Sequence, residues 1–536
     1  MGFGHMMDAR MRGEQAKRKP FSNVNRDLFS DPDEDGVIHH VPGSQSPALY
    51  VPETPAIILP KETRQTEEQS QIIDAPLDGT TRVIAYAGTG KTWTLVEFAK
   101  KHPQMRGLYV AFNKAIQEEG KRKFPKSVSC KTSHAIAYRA YGHQYSHKLI
   151  QSDLRLTVII SLLGLPQDYP LAILIRNTIN GYCSSDLVAF PQTAIAPDHT
   201  PTGLESKLRL AAALAYKLWN MMCDPKQEAP MIHDGYLKLF QLSGADLGYD
   251  YILFDEAQDS NPVTTAIVKN QRCPVVVVGD PYQSIYAFRG ANNALDVFEA
   301  KNTFYLTNSF RFGPEVANVA SELLRVFCKE KRQVIGRGFD TQLGPIESTQ
   351  NYTALCRTNA EVFNRAAMAI QQNQSIAFIG GVKSYNFDKI VDAYHLCVNE
   401  PGEIRDPFLK SMSSFTALEQ YAQDSGDPEA KRLVAVVMLH MHAIPMLVET
   451  IMVKSIPDFR SVQRAFSTGH RAKGFDLENV VMADDYKELI SNNSPIMRRS
   501  DLPLQEVHLT YVSVTRAVKK LQLNMTVRDF MRCVEF

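Results

Sequence analysis

Two glycines, a lysine and a threonine in VIAYAGTGKTWTL, which starts at Val83, have the types and spacing to hold a polyphosphate. In such a loop, backbone N–H groups and the N-terminus of the following helix surround the anion. Gly88 and Gly90 let the backbone approach closely, with Ala87 and Thr89 adding their N–H groups beside them. Lys91 is placed for the β- and γ-phosphates, and the hydroxyl of Thr92 for Mg²⁺. Ala85 stands where the pattern G-x-x-x-x-G-K-[ST] usually begins with glycine. It falls at a strand end, where a glycine helps but the chemistry does not require one. A second group, YILFDEAQDS, puts two carboxylates after four apolar residues. Asp255 suits Mg²⁺, and Glu256 can orient and deprotonate an attacking water. A D-E pair alone is usually a solvated loop. Downstream of a phosphate loop it completes a site for ATP and Mg²⁺ hydrolysis chemistry.

Those residues need strands that end at the site and helices that start there. After residue 60, apolar runs (RVIAYA, GLYVAF, DYILFDEA, CPVVVVGD) are separated by stretches of helical period, which predicts a parallel sheet flanked by helices. A second set, TFYLT, YTALCRT, SIAFIGG, QRAFSTGH, NVVMADD and KLQLNMT, predicts a second α/β unit of similar size. Mostly helical segments interrupt both units. The 536 residues are enough for several domains, and 44% hydrophobic with 22% charged residues is an ordinary globular balance. A net charge of +1 does not announce a nucleic-acid partner, so any basic groove must be local. The eight cysteines are scattered without a C-x-x-C pair, which favours free thiols over metal or disulfide chemistry. No apolar run is expected to reach the ~20 residues of a membrane span. Residues 1–60 are polar, Pro-rich and aperiodic, and read as a disordered tail.

AGTGKT, FDEAQD, VGDPYQSIYAFRGA, TNSFRF, HRAKGFDLENVV and YVSVTRA occur in the order of the superfamily 1A DNA helicases, the UvrD/Rep/PcrA group, which the chain resembles from Gln69 to about Leu523. LYVAFNKAI, CKTSHAIAY, FYLTNSFRFG, RGANNAL and DDY are similar to the F-box DNA helicase branch of that group. Residues 1–60 hold no recognisable F-box, so ubiquitin-ligase partnering does not carry over. The resemblance implies two RecA-like cores: 1A at 61–140 with 236–300, and 2A at 301–390 with 461–536. It also implies insertions 1B at 141–235 and a short 2B at 391–460.

The resemblance also assigns roles. Gln69 corresponds to the glutamine that reads adenine, and Gln283 to the γ-phosphate sensor. Arg311 and Arg516 correspond to two arginines that the second core presents to the γ-phosphate. Phe310 replaces a tyrosine that stacks on adenine, so stacking survives without the phenol. Asp476, with Gly474 beside it, stands where a glutamate usually contacts the ribose. Phe288 takes the place of a base-stacking tryptophan, while Asn113, Lys114, Thr132, His134, His470 and Arg471 match strand-contacting positions. The implied function is an ATP-dependent helicase or translocase moving 3′ to 5′ on single-stranded DNA, acting on forked or 3′-tailed duplexes. A recombinase is a candidate protein partner. Two other readings stay open. One is a motor that mainly strips proteins from DNA; the other is an ATPase-fold binding subunit of a defence or mobile-element complex. The expected location is cytoplasmic, or nuclear in a eukaryotic host.

Overall fold

The computed structural model describes residues 65–166, 168–195, 205–286, 293–425 and 427–534. The expected tail and Phe288 lie outside the described residues. Six parallel strands form the first sheet, in the order Val128–Thr132, Gly107–Ala111, Tyr251–Phe254, Val275–Gly279, Thr80–Ala85 and Asn302–Leu306. Alternate residues serve opposite faces of these strands. Leu108, Val110, Ile252, Phe254, Val275 and Val277 face one core, while Tyr109, Ala111, Leu253, Val276 and Val278 face another. Burial on both faces explains why VVVV is an unbroken apolar run.

One sequence expectation is corrected here. TFYLT, assigned to the second unit, belongs to the first sheet, where Asn302–Leu306 pairs in parallel with Thr81–Ala85. It is an edge strand of mixed exposure, and its pattern could not reveal which sheet it would join. The first core therefore extends past the expected boundary at residue 300.

The second sheet has seven parallel strands, in the order Gln342–Leu343, Ala517–Gln522, Leu477–Met482, Tyr352–Cys356, Arg464–Thr468, Ile376–Phe378 and Ser455–Ile456. The helices Pro314–Cys328 and Leu504–Val514 cover one face. Both helical insertions are continuous with a sheet core. Leu171, Ile175, Ile179, Leu218 and Trp219 share the core of Leu108 and Ile252, and the short parallel pair Leu149–Ile150 with Met231–Ile232 closes that insertion at its base. Leu433, Val437, Ile444 and Ile451 pack in the same core as Phe378 and Phe466 of the second sheet.

A second correction concerns apolar length. Glu429–Lys454 contains an 18-residue window with a mean hydropathy of 1.7, long and apolar enough by composition to cross a membrane. It is not one straight span. The helix Pro428–His440 stops at Met441, whose φ of 43° is left-handed, and a new helix runs over Ile444–Lys454. Pro445 in the first turn of the second helix suits a start rather than a continuation.

Candidate active site

The strand Thr80–Ala85 runs into the phosphate loop, and the helix Lys91–Lys100 leaves it. Ala85 is fully buried and is the last residue of that strand, paired with Leu306, so its Cβ belongs to the core. Gly88 and Gly90 have φ of 75° and 77°, which is where the loop needs glycine. A Cβ on Gly88 would lie 2.6 Å from Ser309 Oγ and 2.7 Å from Arg311 Cβ. The segment Ser309–Arg311 thus lies directly over the loop, and Phe310 N–H donates to the Gly88 carbonyl at 2.8 Å.

Lys91 Nζ meets Glu256 Oε1 at 3.0 Å. Asp255, at the end of Tyr251–Phe254, accepts from Tyr109 OH at 2.7 Å and from the Glu256 N–H at 2.8 Å. Glu256 has φ 49°, a strained backbone for a non-glycine residue, of the kind that collects at functional sites. Burial and the Glu256 charge push the Asp255 carboxyl above its ordinary value. Burial opposes ionisation of Glu256 too, but Lys91 and Lys473 outweigh it and hold that carboxyl low. Asp280 is also buried and pushed up.

Gln283 donates to Asp280 Oδ2 at 2.7 Å, and its Oε1 accepts from Arg516 Nη2 at 3.3 Å. Arg516 follows the helix Leu504–Val514 and is only 1% exposed. Its Nε donates to the Val512 carbonyl at 2.9 Å, which fixes the fork. Burial, then the neighbouring Arg311 charge, lowers its proton affinity. Arg311 donates to the Thr515 carbonyl at 3.1 Å and pairs with Asp476 through Nε. The arginine side of the cleft therefore holds surplus buried positive charge, while Asp255, Glu256 and Asp280 give the opposite side surplus negative charge. A polyphosphate with a divalent cation matches both. Mg²⁺ needs only one or two carboxylates when phosphates complete its shell, so Asp255 and Thr92 fit as its protein ligands.

Gln69 is buried beside the loop. Its Oε1 accepts from Thr66 N at 3.0 Å in a capping box, and its Nε2 reaches the Thr89 carbonyl at 3.4 Å. One N–H and one lone pair are left over for a base edge. Gly474 is left-handed, with φ 89°, two residues before Asp476.

The sequence-selected DNA positions follow the C-terminal ends of strands in both sheets. Asn113 caps the helix Lys114–Lys123 by accepting from Ile116 N at 2.9 Å, leaving the exposed Lys114 at its first turn. Thr132 caps Ser133–Ala140, and His134 Nε2 lies 2.9 Å from Asp234 Oδ1. Arg471 sits over the Tyr385 ring at 4.9 Å, and the His470 carbonyl accepts from Tyr286 OH at 3.0 Å.

Sequence reasoning missed several groups. Tyr511 OH lies 3.2 Å from both Ala87 N and Asp280 Oδ2, joining the second core to the loop. Lys473 pairs with Asp259 and the Gln283 carbonyl across the cores. The rings of Phe112 and Tyr286 lie nearly parallel, 6.4 Å apart, and Phe112 is 46% exposed. Each stands inside a quoted motif, and an exposed aromatic beside a strand-end loop was the available signal.

Two parallel sheets, one ending in a phosphate loop and the other supplying two arginines over it, define a two-core RecA-like P-loop fold. Residues 244–303 match the model of the UvrD/REP helicase N-terminal domain. The chain is 34% identical to the F-box DNA helicase 1 of Gallus gallus over 508 residues, 88% of this chain and 50% of that one. It is 31% identical to the F-box DNA helicase protein 1 of Schizosaccharomyces pombe, over 86% of this chain and 57% of that one. A shorter match, 36% over 90 residues, links it to the RecB subunit of the Buchnera aphidicola RecBCD enzyme, covering 16% of this chain and 7% of that one. Over most of its length the chain is similar to UvrD-like superfamily 1 helicases, the F-box DNA helicases among them. It spans about half the length of those two relatives.

Proposed function

We propose that this chain is an ATP-dependent DNA helicase or translocase that moves 3′ to 5′ on single-stranded DNA. The observation that carries the reading is the contact of Arg516 with Gln283, beside the bond between Tyr511 and the Ala87 N–H of the phosphate loop, which brings side chains of both cores to one site. Bound Mg²⁺ would supply charge neutralisation and orientation of the phosphates. Lys91, Arg311 and Arg516 stabilise charge on the transferring group, and Glu256 positions and deprotonates water. Hydrolysis removes the anion that holds the arginines against the loop, so the cleft reopens. The short path Gln283–Tyr286 connects that event to the aromatic pair with Phe112, a platform of the type that grips bases in single strands.

The test measures ATPase rate against single-strand concentration, together with translocation on strands of both polarities. Stimulated hydrolysis with 3′ to 5′ movement is expected. Forked-duplex unwinding and recombinase displacement, run side by side, assign the main task. Phe112→Ala should keep basal hydrolysis and lose stimulation. An unstimulated wild-type protein would sink the motor reading and favour a binding subunit.

A further inference from the structure

Tyr282 stands one residue before Gln283 in the short turn Pro281–Gln283 of the first core, yet its ring lies among second-core side chains. His508 and Tyr511, both on the helix Leu504–Val514, meet it edge-on with ring centroids 6.0 and 6.4 Å away. Its hydroxyl donates to Glu330 Oε2 at 2.7 Å. Glu330 follows the helix Pro314–Cys328, and its Oε1 accepts from the Lys331 and Arg332 N–H groups at 2.7 and 2.9 Å. The carboxylate is therefore aimed by its own turn before it meets the phenol. Burial opposes its charge, but the Arg332 N–H and the Tyr282 hydroxyl outweigh it and hold the carboxyl below its ordinary value. Tyr86, the residue before Ala87 of the phosphate loop, is fully buried in the cluster of Phe312 and Val316. Its ring lies 6.0 Å from that of Tyr282, and burial, then the Glu330 charge, pushes its phenol well above the ordinary value. One second-core carboxylate thus stands beside two first-core phenols, one next to the phosphate loop and one next to Gln283.

We infer that Glu330 is a positioning residue: it seats the turn Pro281–Gln283 against the second core, so that Gln283 reaches its working place at the nucleotide only while the cores are together. This inference rests on the motor reading above. A hydrogen bond to an ionised acceptor is stronger than one between neutral groups, and here the acceptor is fixed at its other oxygen. The bond therefore sets where Tyr282 lies relative to the second core. Tyr282 N–H donates to Asp280 Oδ1 at 3.0 Å and the Gln283 amide to Asp280 Oδ2 at 2.7 Å, so a shift of the ring carries Gln283 with it. The second core also holds Gln283 itself, with Arg516 on its Oε1 and Lys473 on its carbonyl. Glu330 acts one residue away, through Tyr282, and its effect on hydrolysis passes through Gln283.

Tyr282→Phe keeps the ring and removes the bond. With saturating single-stranded DNA its kcat should fall about tenfold, the scale of one hydrogen bond to a charged group. Its KM for ATP should stay within about twofold and its Tm within about 2 °C of the wild type. Glu330→Gln should behave alike, because an amide turned to suit the Lys331 and Arg332 N–H groups presents a donor where the phenol donates. In a Gln283→Ala background, adding Tyr282→Phe should change kcat by less than about twofold, since the path it serves is already cut. An unchanged kcat in Tyr282→Phe, whatever its Tm, makes the bond a plain tie between the cores and overturns the inference. So does a further loss of about tenfold in the Gln283→Ala background. Both results leave the ATPase reading standing. Tyr282→Phe alone and with Gln283→Ala decides the matter even where Glu330→Gln does not fold. A wild-type protein that single strands do not stimulate overturns the motor reading and this inference with it.

Discussion

Arg516 shows how much of this site depends on single side chains. Its guanidinium is buried, its fork is fixed by the Val512 carbonyl, and its free face reaches Gln283. Burying that charge is costly unless an anion meets it, and the available counter-charge, Asp476, is shared with Arg311. A γ-phosphate would satisfy both arginines. Arg516→Ala should therefore lower kcat by roughly 10³-fold, the scale of an arginine finger, with single-strand affinity little changed. Arg516→Lys should rescue poorly, since an ammonium cannot reproduce the fork. Single-turnover hydrolysis and strand binding, measured on the same preparations, check this. Collapse of DNA binding with persistent basal hydrolysis would move Arg516 into the strand groove. At this scale much was legible: Lys91, Asp255 and Glu256 stood out by type and spacing, Gln283, Arg311 and Arg516 only through the family resemblance, and the structure gathers them around one loop. Tyr511 and Lys473 were not picked, because a tyrosine inside a helix and a lysine inside a loop carry no chemistry until the second core is laid against the first.

At the scale of elements, the helix Leu504–Val514 is one part of the second core that reaches the first. His508 lies on it, with Nδ1 donating to the Ser284 carbonyl at 3.1 Å, while its buried Nε2 has no hydrogen-bond partner among the described residues. Burial, chiefly, pushes His508 down to about 4. The unfolded chain has an ordinary histidine near 6.5, so between pH 6.5 and about 4 the unfolded state binds the extra proton. The neutral His508 thus contributes stability that is full above pH 6.5 and is lost as pH falls through that window. The slope it adds is at most about 1.4 kcal/mol per pH unit. The expected result is that acid lowers the Tm of the wild type more steeply than that of His508→Gln between pH 6.5 and 4.5. Parallel curves would mean that the ring is not held neutral. Elements were legible where both faces are buried, as in YILF and VVVV, because such runs admit few alternatives. They were not legible at edges. TFYLT sits beside the second unit in sequence but pairs with Thr81–Ala85, since an edge strand needs only one partner and its own pattern does not name it. The apolar stretch at 429–454 hid a break that only the left-handed Met441 reveals.

For the whole molecule, the question is what lets two cores act as one. Lys473 of the second core is a second buried cross-core cation beside Arg516, 9% exposed, and it pairs with Asp259, whose side chain is 2% exposed. Its ammonium also meets the Gln283 carbonyl and lies 5.3 Å from the Tyr286 ring centroid. One side chain thus touches the carboxylate motif, Gln283 and the aromatic pair. Removing one partner of such a pair is worse than removing both, because it leaves a buried charge unmatched. Burial already pushes Asp259 up to about 6, and loss of Lys473 would push it further. Lys473→Met should therefore be clearly less stable at pH 8 than at pH 5.5, since a carboxyl with a raised folded pKa loses stability as pH rises. Adding Asp259→Asn should recover much of that loss, with a coupling energy of about 1–3 kcal/mol in the double-mutant cycle. Stimulation by DNA should not return with it, because an apolar side chain cannot link Gln283 to Tyr286. Denaturation curves at both pH values and ATPase titrations with single strands give the two readouts. Additive single effects would show that the pair does not join the cores. Restored stimulation in the double variant would show that coupling runs through another contact, with Tyr511 between Ala87 and Asp280 the next to remove.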